Sequence, residues 1–484
     1  MHTKRVGVVC FAMCLLLAPH ATAADRDSRL IEASRRADAP MVRALLAADV
    51  DVNARAADDT TALHWAADQD ALEVADLLIR KGAAVDAKTR LGVTPLWIAA
   101  RNSNTAMITR LLQAHADPNI APPTDGAPLM IAAQRGNAAA VKALLAAGAD
   151  PNAREARHGQ TALMWAAAEG HPDVVRLLIA AGADVRARSK SWMQRVILCC
   201  QLYQGDETGV TMIERGGFTP LLFAAQDGDV ESARLILAAG ADVNETAPEG
   251  LSALVVAAHV GQTGMAAFLL DSGADPNSAG AGYTALHVAA TRGDLALVKA
   301  LLAHRADPNA RQLKGSPSKR LRSGHALDHL LVGATPFALA AVAGRLDVMR
   351  TLVAGGADPS LTLADGRTAL MLLAGYATQW GPLLSEARGV EALKLAIQLG
   401  TPVNRADRVG DTALHIAAAK RRDLFVQALV DSGAALNARN RNGQTPLDEA
   451  LAPPPKLKGL SQDSEYMVTH TGTPELLRKL GAKT

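Results

Sequence analysis

A seven-residue motif, typified by Thr284–Ala290 with the sequence TALHVAA, recurs along most of the chain. Many neighbouring copies start 33 residues apart, as from Thr61 to Thr94 and from Thr219 to Ser252. The copies begin at Thr61, Thr94, Ala127, Thr161, Thr219, Ser252, Thr284, Thr335, Thr368, Thr412 and Thr445. A fixed period of this length predicts a stack of similar units, each of which buries its apolar faces against its neighbours.

Each copy of the motif predicts the beginning of a short helix. Thr161 is a residue type that caps helix N-termini, and at several equivalent positions the next residue is proline, which suits the first helical turn. The apolar spacing of residues 174–179 predicts a second helix, which Gly182 ends. A segment such as Leu269–Asn277, with the sequence LLDSGADPN, then leads into a hairpin. Each repeat is therefore expected to contain two helices and a hairpin.

Both halves of this repeat resemble the ankyrin-repeat family, in which a T-P-L-H-x-A core recurs with a period of 33 residues. The resemblance implies an all-α fold, a solenoid of helix-turn-helix units joined by β-hairpin loops. Residues 28–53 resemble a divergent first copy, in which Glu32 occupies a position that is apolar in the next copies. A charged residue there suits a terminal repeat with a polar outer face.

The last repeat begins at Thr445, and its second helix is expected at Thr473–Leu477 after a long loop. We therefore predict about twelve units over residues 24–484.

The first 23 residues predict a secretory signal peptide. Lys4 and Arg5 precede an apolar run from Val6 to Leu17, and Ala21–Ala23 supplies the small residues of a cleavage site. An uncleaved membrane anchor is the alternative, although the run is shorter than the roughly 20 residues that span a bilayer. We expect an exported protein of a bacterial periplasm, with secretion from the cell as the alternative.

Charge narrows the class of partner, and cysteine content shows whether disulfides could hold the chain together. Removal of residues 1–23 takes away Lys4 and Arg5 and leaves 48 basic and 48 acidic residues. A neutral chain argues against a general nucleic-acid binder. Cleavage would also leave only Cys199 and Cys200, which form no disulfide framework. We expect a monomer that needs no cofactor, has no membrane span after cleavage and binds a protein partner.

Four stretches break the period and are read as insertions. Two of them, at about residues 187–216 and 311–333, enlarge the hairpin between one repeat and the next and should project from the same edge. The others, at about residues 375–389 and 453–472, fall between the two helices of a repeat and should lie on the opposite edge. The second insertion also contains a short basic run from Lys314 to Arg322.

The first insertion concentrates large apolar residues in a loop that should face solvent, a pattern that usually marks a binding site. These candidates are Trp192, Met193, Val196, Ile197, Leu198, Leu202 and Tyr203. A loop folded back over its neighbours is an equally weighted alternative. Cys199 and Cys200 could form a vicinal disulfide in an oxidising compartment or serve as small apolar filler.

The family resemblance also implies that a partner contacts the hairpin tips and the exposed ends of the first helices. Carried over to this sequence, the positions after the alanine pair give further candidates. These are Arg101, Asn102, Gln134, Arg135, Glu169, Gln226, Asp227 and Arg292. Most exposed polar residues are merely solvated, and a minority of contacts usually carries the binding energy.

Histidines are the only residues that suggest chemistry. His64, His287 and His415 share the fourth motif position, where the family resemblance implies a structural bond to backbone. His325 and His329 approach an H-x-x-E-H zinc pattern, but Asp328 replaces the glutamate and no distal ligand stands out. We therefore predict no metal site, no catalytic residue and no enzyme. A zinc enzyme built on the insertions remains a weak alternative.

The predicted function is that of a non-catalytic scaffold or inhibitor in the cell envelope. It would bind a protein through hairpin tips, the concave helix face and the apolar inserted loop. A secreted effector that acts on another cell is the main alternative.

Overall fold

The computed structural model describes residues 23–197, 210–314, 331–376, 385–452 and 472–483. These residues form twenty-four helices and one two-stranded antiparallel sheet. The chain divides into two compact units, one ending at Ala187 and the other beginning at Arg188. The predicted all-α repeat solenoid is confirmed, and the helices group into twelve consecutive pairs.

The first unit contains five helix pairs. Its helices are α1 (Ala23–Arg35), α2 (Ala39–Ala47), α3 (Ala62–Asp68), α4 (Leu72–Arg80), α5 (Pro95–Arg101), α6 (Thr105–Gln113), α7 (Pro128–Gln134), α8 (Ala138–Ala146), α9 (Ala162–Ala168) and α10 (Pro172–Ala180).

The second unit begins with the sheet and continues with seven helix pairs. Its strands are β1 (Ser191–Ile197) and β2 (Val210–Gly216). Its helices are α11 (Pro220–Asp227), α12 (Val230–Ala238), α13 (Ala253–Val260), α14 (Thr263–Asp271), α15 (Ala285–Arg292), α16 (Leu295–Ala303), α17 (Pro336–Val342), α18 (Leu346–Ala354), α19 (Ala369–Tyr376), α20 (Glu386–Gln398), α21 (Ala413–Ala419), α22 (Asp423–Asp431), α23 (Pro446–Leu451) and α24 (Thr473–Lys479).

Threonine or serine starts most of the first helices, as predicted. Thr94 is in an extended conformation, and its side chain accepts a hydrogen bond from Trp97 N at 3.2 Å. Pro95 follows at the first helical position, where its missing N–H leaves no bond unmade. The helix is only seven residues long and would not persist alone in water, so its stability comes from packing.

Packing is built on two layers within each unit. The first helix of a repeat packs against the first helices of its neighbours, and the second helices form the other layer. The alanine pair of the motif lies in the middle of this core, as at Ala66 and Ala67, which are fully buried. Small side chains at these positions let short helices approach closely, which is why so few aromatic residues are needed.

An asparagine near the end of most repeats links it to the next one. Asn277 Nδ2 donates to Arg305 O at 3.1 Å, and its Oδ1 accepts from Asp307 N at 2.7 Å. Both acceptor and donor belong to the backbone that follows the second helix of the next repeat. The same pair of bonds is made by Asn53, Asn119, Asn152, Asn244, Asn309 and Asn404.

None of the helices in the described ranges is both long and apolar enough to cross a membrane.

We expect Asn277→Ala to lower the free energy of unfolding by about 1–2 kcal/mol, because two backbone groups lose their partner. Asn442→Ala is the matched control, since the Asn442 side chain makes only a long 3.4 Å contact with Gln444 at an exposed hairpin tip. Its effect should stay within about 0.5 kcal/mol. Urea-induced unfolding followed by circular dichroism measures both, and equal losses would show that the bridge contributes nothing.

Candidate functional site

The first insertion forms a hairpin. Strands β1 and β2 pair antiparallel, with Trp192 opposite Arg215 and Met193 opposite Glu214. Trp192 is 47% exposed and Met193 is 56% exposed, so both large apolar side chains reach solvent. The Trp192 ring also packs against Gly216, where a Cβ atom would lie 2.7 Å from the ring edge.

The structure describes only the backbone of some of the other apolar candidates in this insertion, and the rest fall outside the described residues. Val196 and Ile197 lie in β1, where their backbone pairs with Thr211 and Val210. Leu198, Leu202 and Tyr203 fall outside the described residues, as do Cys199 and Cys200. The sheet was not predicted from the sequence, although the β-branched residues within 210–213 are a signal for a strand.

Backbone hydrogen bonds join the two ends of this insertion where it leaves the repeat, a place that we call its root. Ser189 N donates to Phe218 O at 2.9 Å, and Gly217 N donates to Lys190 O at 3.2 Å. The Arg188 guanidinium then donates to Gly217 O at 3.2 Å and to Thr246 O at 2.7 Å, which lies in the next hairpin. The hairpin therefore extends from a root that remains part of the repeat stack.

The second insertion has the same kind of root. Gln312 N donates to Ala334 O at 2.9 Å, and Gly333 N donates back to Gln312 O at 2.7 Å. Arg311 donates to Gly333 O at 3.3 Å and to Thr362 O at 2.5 Å. Arg188 and Arg311 thus each span an insertion and tie it to the following repeat. Neither arginine was predicted from the sequence.

The polar candidates at the ends of the first helices separate into two groups. In the first group the residue also joins neighbouring repeats. Arg101 forms an ion pair with Asp68 at 3.0 Å, and Asn102 Nδ2 donates to Asp68 O at 3.1 Å. Arg292 Nη1 donates to His259 O at 2.9 Å. These side chains stabilise the stack whether or not they meet a partner.

The backbone of two other candidates serves the same purpose. Gln134 O lies 3.0 Å from His171 Nε2, and Asp227 O accepts from Gln262 Nε2 at 2.6 Å. In both cases a side chain of the following repeat reaches the end of the preceding first helix. Such contacts satisfy carbonyl groups that a helix C-terminus leaves without intrahelical partners.

The second group consists of side chains that are exposed where a first helix ends. They are Arg135, Glu169, Gln226 and Asp227. The helices α7, α9 and α11 end at or next to these residues. Arg135 is positive, Glu169 and Asp227 are negative, and Gln226 is neutral.

The motif histidines are structural. Thr61 N donates to His64 Nδ1 at 3.2 Å, and His64 Nε2 lies 3.0 Å from Val93 O in the next hairpin. His415 makes the equivalent contacts with Thr412 and with Gln444 O, at 3.2 and 3.1 Å. Because Nδ1 accepts a backbone N–H, the ring proton is on Nε2 and points to the carbonyl. The histidine therefore joins two repeats in its neutral form.

His287 is the most strongly perturbed of the three. Thr284 N donates to its Nδ1 at 3.2 Å. Burial lowers the pKa of His287 to about 4, although the carbonyls of Ala310 and Ala334 favour its protonated form. Protonation would place a second proton on Nδ1 against the Thr284 N–H. The lowered pKa thus follows from the burial of the ring.

Another buried histidine, His259, was not predicted from the sequence. His259 Nε2 lies 3.0 Å from the Tyr283 hydroxyl, with the two rings edge to face at 5.3 Å. Tyr283 is 1% exposed. It occupies the position just before a motif threonine, where other repeats carry Val93, Gln160 or Asp411. Only the fold brings the two rings together.

Within the described ranges, no group of three or more histidine, cysteine, aspartate or glutamate residues is arranged to hold a metal ion. His325 and His329, the weak zinc candidates, lie outside those ranges.

Comparison with known proteins agrees with this geometry. A family model described as ankyrin repeats (3 copies) matches residues 30–122, 120–189, 221–312 and 383–453, which is more than half of the chain. The chain therefore belongs to the ankyrin-repeat family. Repeats of this family generally mediate protein–protein interaction, and the fold is typically a non-enzymatic interaction module.

Individual relatives match over short stretches. The probable E3 ubiquitin-protein ligase XBOS31 of Oryza sativa subsp. japonica is 37% identical over 103 residues, or 20% of this chain and 23% of that protein. Serine/threonine-protein kinase 12 of Arabidopsis thaliana is 36% identical over 91 residues, or 19% and 20%. The chain thus spans about a fifth of the length of these curated relatives.

Among solved structures, the human ASB11 ankyrin repeat domain is 23% identical and aligns with 58% of this chain and 98% of that domain, at a TM-score of 0.39.

Replacement of His287 by methionine, which stands at the same motif position as Met130, Met164 and Met371, should flatten the pH dependence of stability. An unfolded histidine binds its proton near pH 6.5, whereas folded His287 does so near pH 4. Between these values the unfolded chain binds more protons, so the wild-type free energy of unfolding falls as the pH falls.

His287→Met should reduce the change of the unfolding free energy with pH by up to about 1.4 kcal/mol per pH unit, which is the contribution of one proton. Urea titrations at several pH values between 6.5 and 4 measure the slope in both proteins. Identical slopes would mean that folded His287 binds its proton near its ordinary pKa of 6.5.

Proposed function

We propose that this chain is a non-catalytic scaffold or inhibitor that binds a protein partner through its first insertion and the exposed ends of its first helices. The observation that carries the proposal is the exposure of Trp192 and Met193 on a hairpin that the repeat stack does not require. As successive residues of β1 the two side chains point to opposite faces of the sheet, so each face presents one large apolar group to solvent.

The arrangement of the hairpin supports this proposal. Its root is tied to the stack by Arg188, so the exposed side chains are held near a defined position. Partly ordered anchors lose less conformational entropy on binding than a free loop would. Aromatic residues such as Trp192 are also the side chains most often found at energetic centres of interfaces.

The polar ends of the first helices would supply the rest of the interface. Gln226 and Asp227, in the same unit as the hairpin, are exposed at the end of α11 and supply a neutral and a negative group. Charge complementarity at such positions contributes more to selectivity and association rate than to affinity. In this proposal the hairpin anchors the partner through apolar contacts, and the helix ends select which partner binds.

The sharpest test replaces the two exposed apolar residues of the hairpin together. Trp192→Ser combined with Met193→Ser should abolish crosslinking of a partner to the hairpin and weaken its recovery at least tenfold. Leu424→Ser is the matched control, because Leu424 is 53% exposed at the beginning of α22, a second helix away from the hairpins, and should leave recovery unchanged. Recovery is quantified by mass spectrometry after crosslinking to wild-type and variant proteins.

Met193→Ser alone separates binding from local folding, because Met193 is the more exposed residue and Trp192 packs on Gly216. Unchanged recovery of the same partner with the double variant would place the docking site elsewhere.

We also propose that the protein acts in the cell envelope. The support is the basic, apolar and small-residue pattern of residues 1–23. The mature N-terminus is then expected at Ala24, in the periplasmic fraction. Fractionation with N-terminal mass spectrometry tests this, and an intact Met1 in the cytosolic fraction would contradict it. Recovery from the culture medium would instead favour the secreted effector.

A further inference from the structure

The insertion at about residues 375–389, which we call the third insertion, separates the two helices of one repeat. The described chain stops at Tyr376, the last residue of α19, and resumes at Ser385, which caps α20. In an uninserted repeat such as α17–α18, residues 343–345 alone join the two helices. A short turn of this kind does not fix the ends of α19 and α20.

Both helices carry a glycine where the following repeat approaches them closely. A Cβ atom on Gly375, in α19, would lie 2.8 Å from Ile416 Cγ2 of α21. A Cβ atom on Gly389, in α20, would lie 2.7 Å from Phe425 Cζ of α22. Glycine weakens a helix relative to alanine, so its presence inside both helices follows from this close packing. The repeat α21–α22 therefore presses on both sides of the third insertion.

Arg422, the N-cap residue of α22, reaches back to the end of α19. Its Nη1 donates to Leu373 O at 2.6 Å and to Ala374 O at 3.3 Å. Carbonyl groups in the last turn of a helix lack partners within that helix, and a cation is favourable there. Arg422 thus caps α19 from the following repeat.

The same guanidinium links α19 to α20 through an aromatic ring. Its Cζ lies 3.6 Å from the centre of the Phe425 ring, close enough for a cation–π interaction. Phe425 is fully buried, and the far end of its ring meets Gly389. A continuous set of contacts therefore runs from the end of α19, through Arg422 and Phe425, to the beginning of α20.

The equivalent position in an uninserted repeat makes a shorter connection. Gln262, which precedes α14, donates to Asp227 O, and Asp227 is the last residue of α11. Arg422 instead reaches Leu373, in the last turn of α19 but before its final residue. The longer arginine side chain thus spans the place where the insertion leaves the repeat.

We infer that Arg422 and Phe425 form a latch, which holds the last turn of α19 and the beginning of α20 together across the third insertion. The following repeat, rather than a turn within the same repeat, fixes these two helix ends. Breaking the latch should let both ends open together while the other repeats stay folded. The inference does not depend on the proposed partner or compartment.

Hydrogen–deuterium exchange of the full chain tests this inference without any partner. Arg422→Met keeps an apolar side chain beside Phe425 but removes the donors to α19. It should accelerate exchange about tenfold in peptides from α19 and from α20, since exchange rates report local opening. Peptides from α13 and α15 should keep their wild-type rates, which shows that the other repeats remain folded.

Arg421→Met is the matched control. Arg421 is the adjacent residue, and its Nη2 makes a long 3.5 Å contact with Ala452 O, beyond α23 and away from α19. Its replacement should leave exchange in α19 and α20 at the wild-type rates. Equal acceleration by Arg421→Met and Arg422→Met would overturn the inference, because loss of either cation would then suffice.

A glycine substitution tests the second half of the latch. Gly389→Ala places a Cβ atom against the Phe425 ring, so exchange should accelerate in α19 as well as in α20. Gly264→Ala in α14 is its control, because a Cβ atom there has nothing within 4 Å and should not accelerate exchange in its own helix. The inference is overturned if Arg422→Met leaves either helix unchanged, or if Gly389→Ala affects α20 alone.

Discussion

The side-chain bridge from one repeat to the next is the interaction on which this fold depends most. Helices of seven to nine residues have little stability of their own, so each repeat must be fixed in register against its neighbour. Asn152 does this by bonding to Gly182 O and Asp184 N, and Asn404 does it through Gly433 O and Ala435 N. The acceptor and donor are backbone atoms, and the acceptor residue has the left-handed conformation that favours glycine, as Gly182 does with φ at +86°.

Hydrogen bonds at the base of each hairpin explain how the chain accommodates large insertions. Ser189 and Gln312 make the backbone bond that Thr89 makes to Val93 in an uninserted repeat. An insertion added beyond this bond leaves the stack unchanged, and long surface loops cost little extra closure entropy. Arg188 and Arg311 strengthen these two roots by reaching the next repeat.

Several positions that we proposed for recognition also stabilise the repeat stack. Arg101, Asn102 and Arg292 were expected to contact a partner, and each makes a bond between repeats. A guanidinium has several donors, so a bond within the stack leaves others for a partner. Substitutions at these positions would therefore lower stability as well as change any contact with a partner, whereas Met193 is exposed on β1. For this reason the hairpin is the more informative place to test binding.

The sequence by itself determined the repeat, the helix caps and the structural role of the motif histidines, because each rests on interactions at a fixed spacing of a few residues or of about one period. Thr61 and His64 are three residues apart, and Val93 follows His64 at a distance of 29 residues, so the motif and its period are enough to relate them. The tertiary structure alone decided the β1–β2 pairing and the Tyr283–His259 contact. These contacts join segments whose separation along the chain follows no period, so only the stacking of the hairpins brings them together.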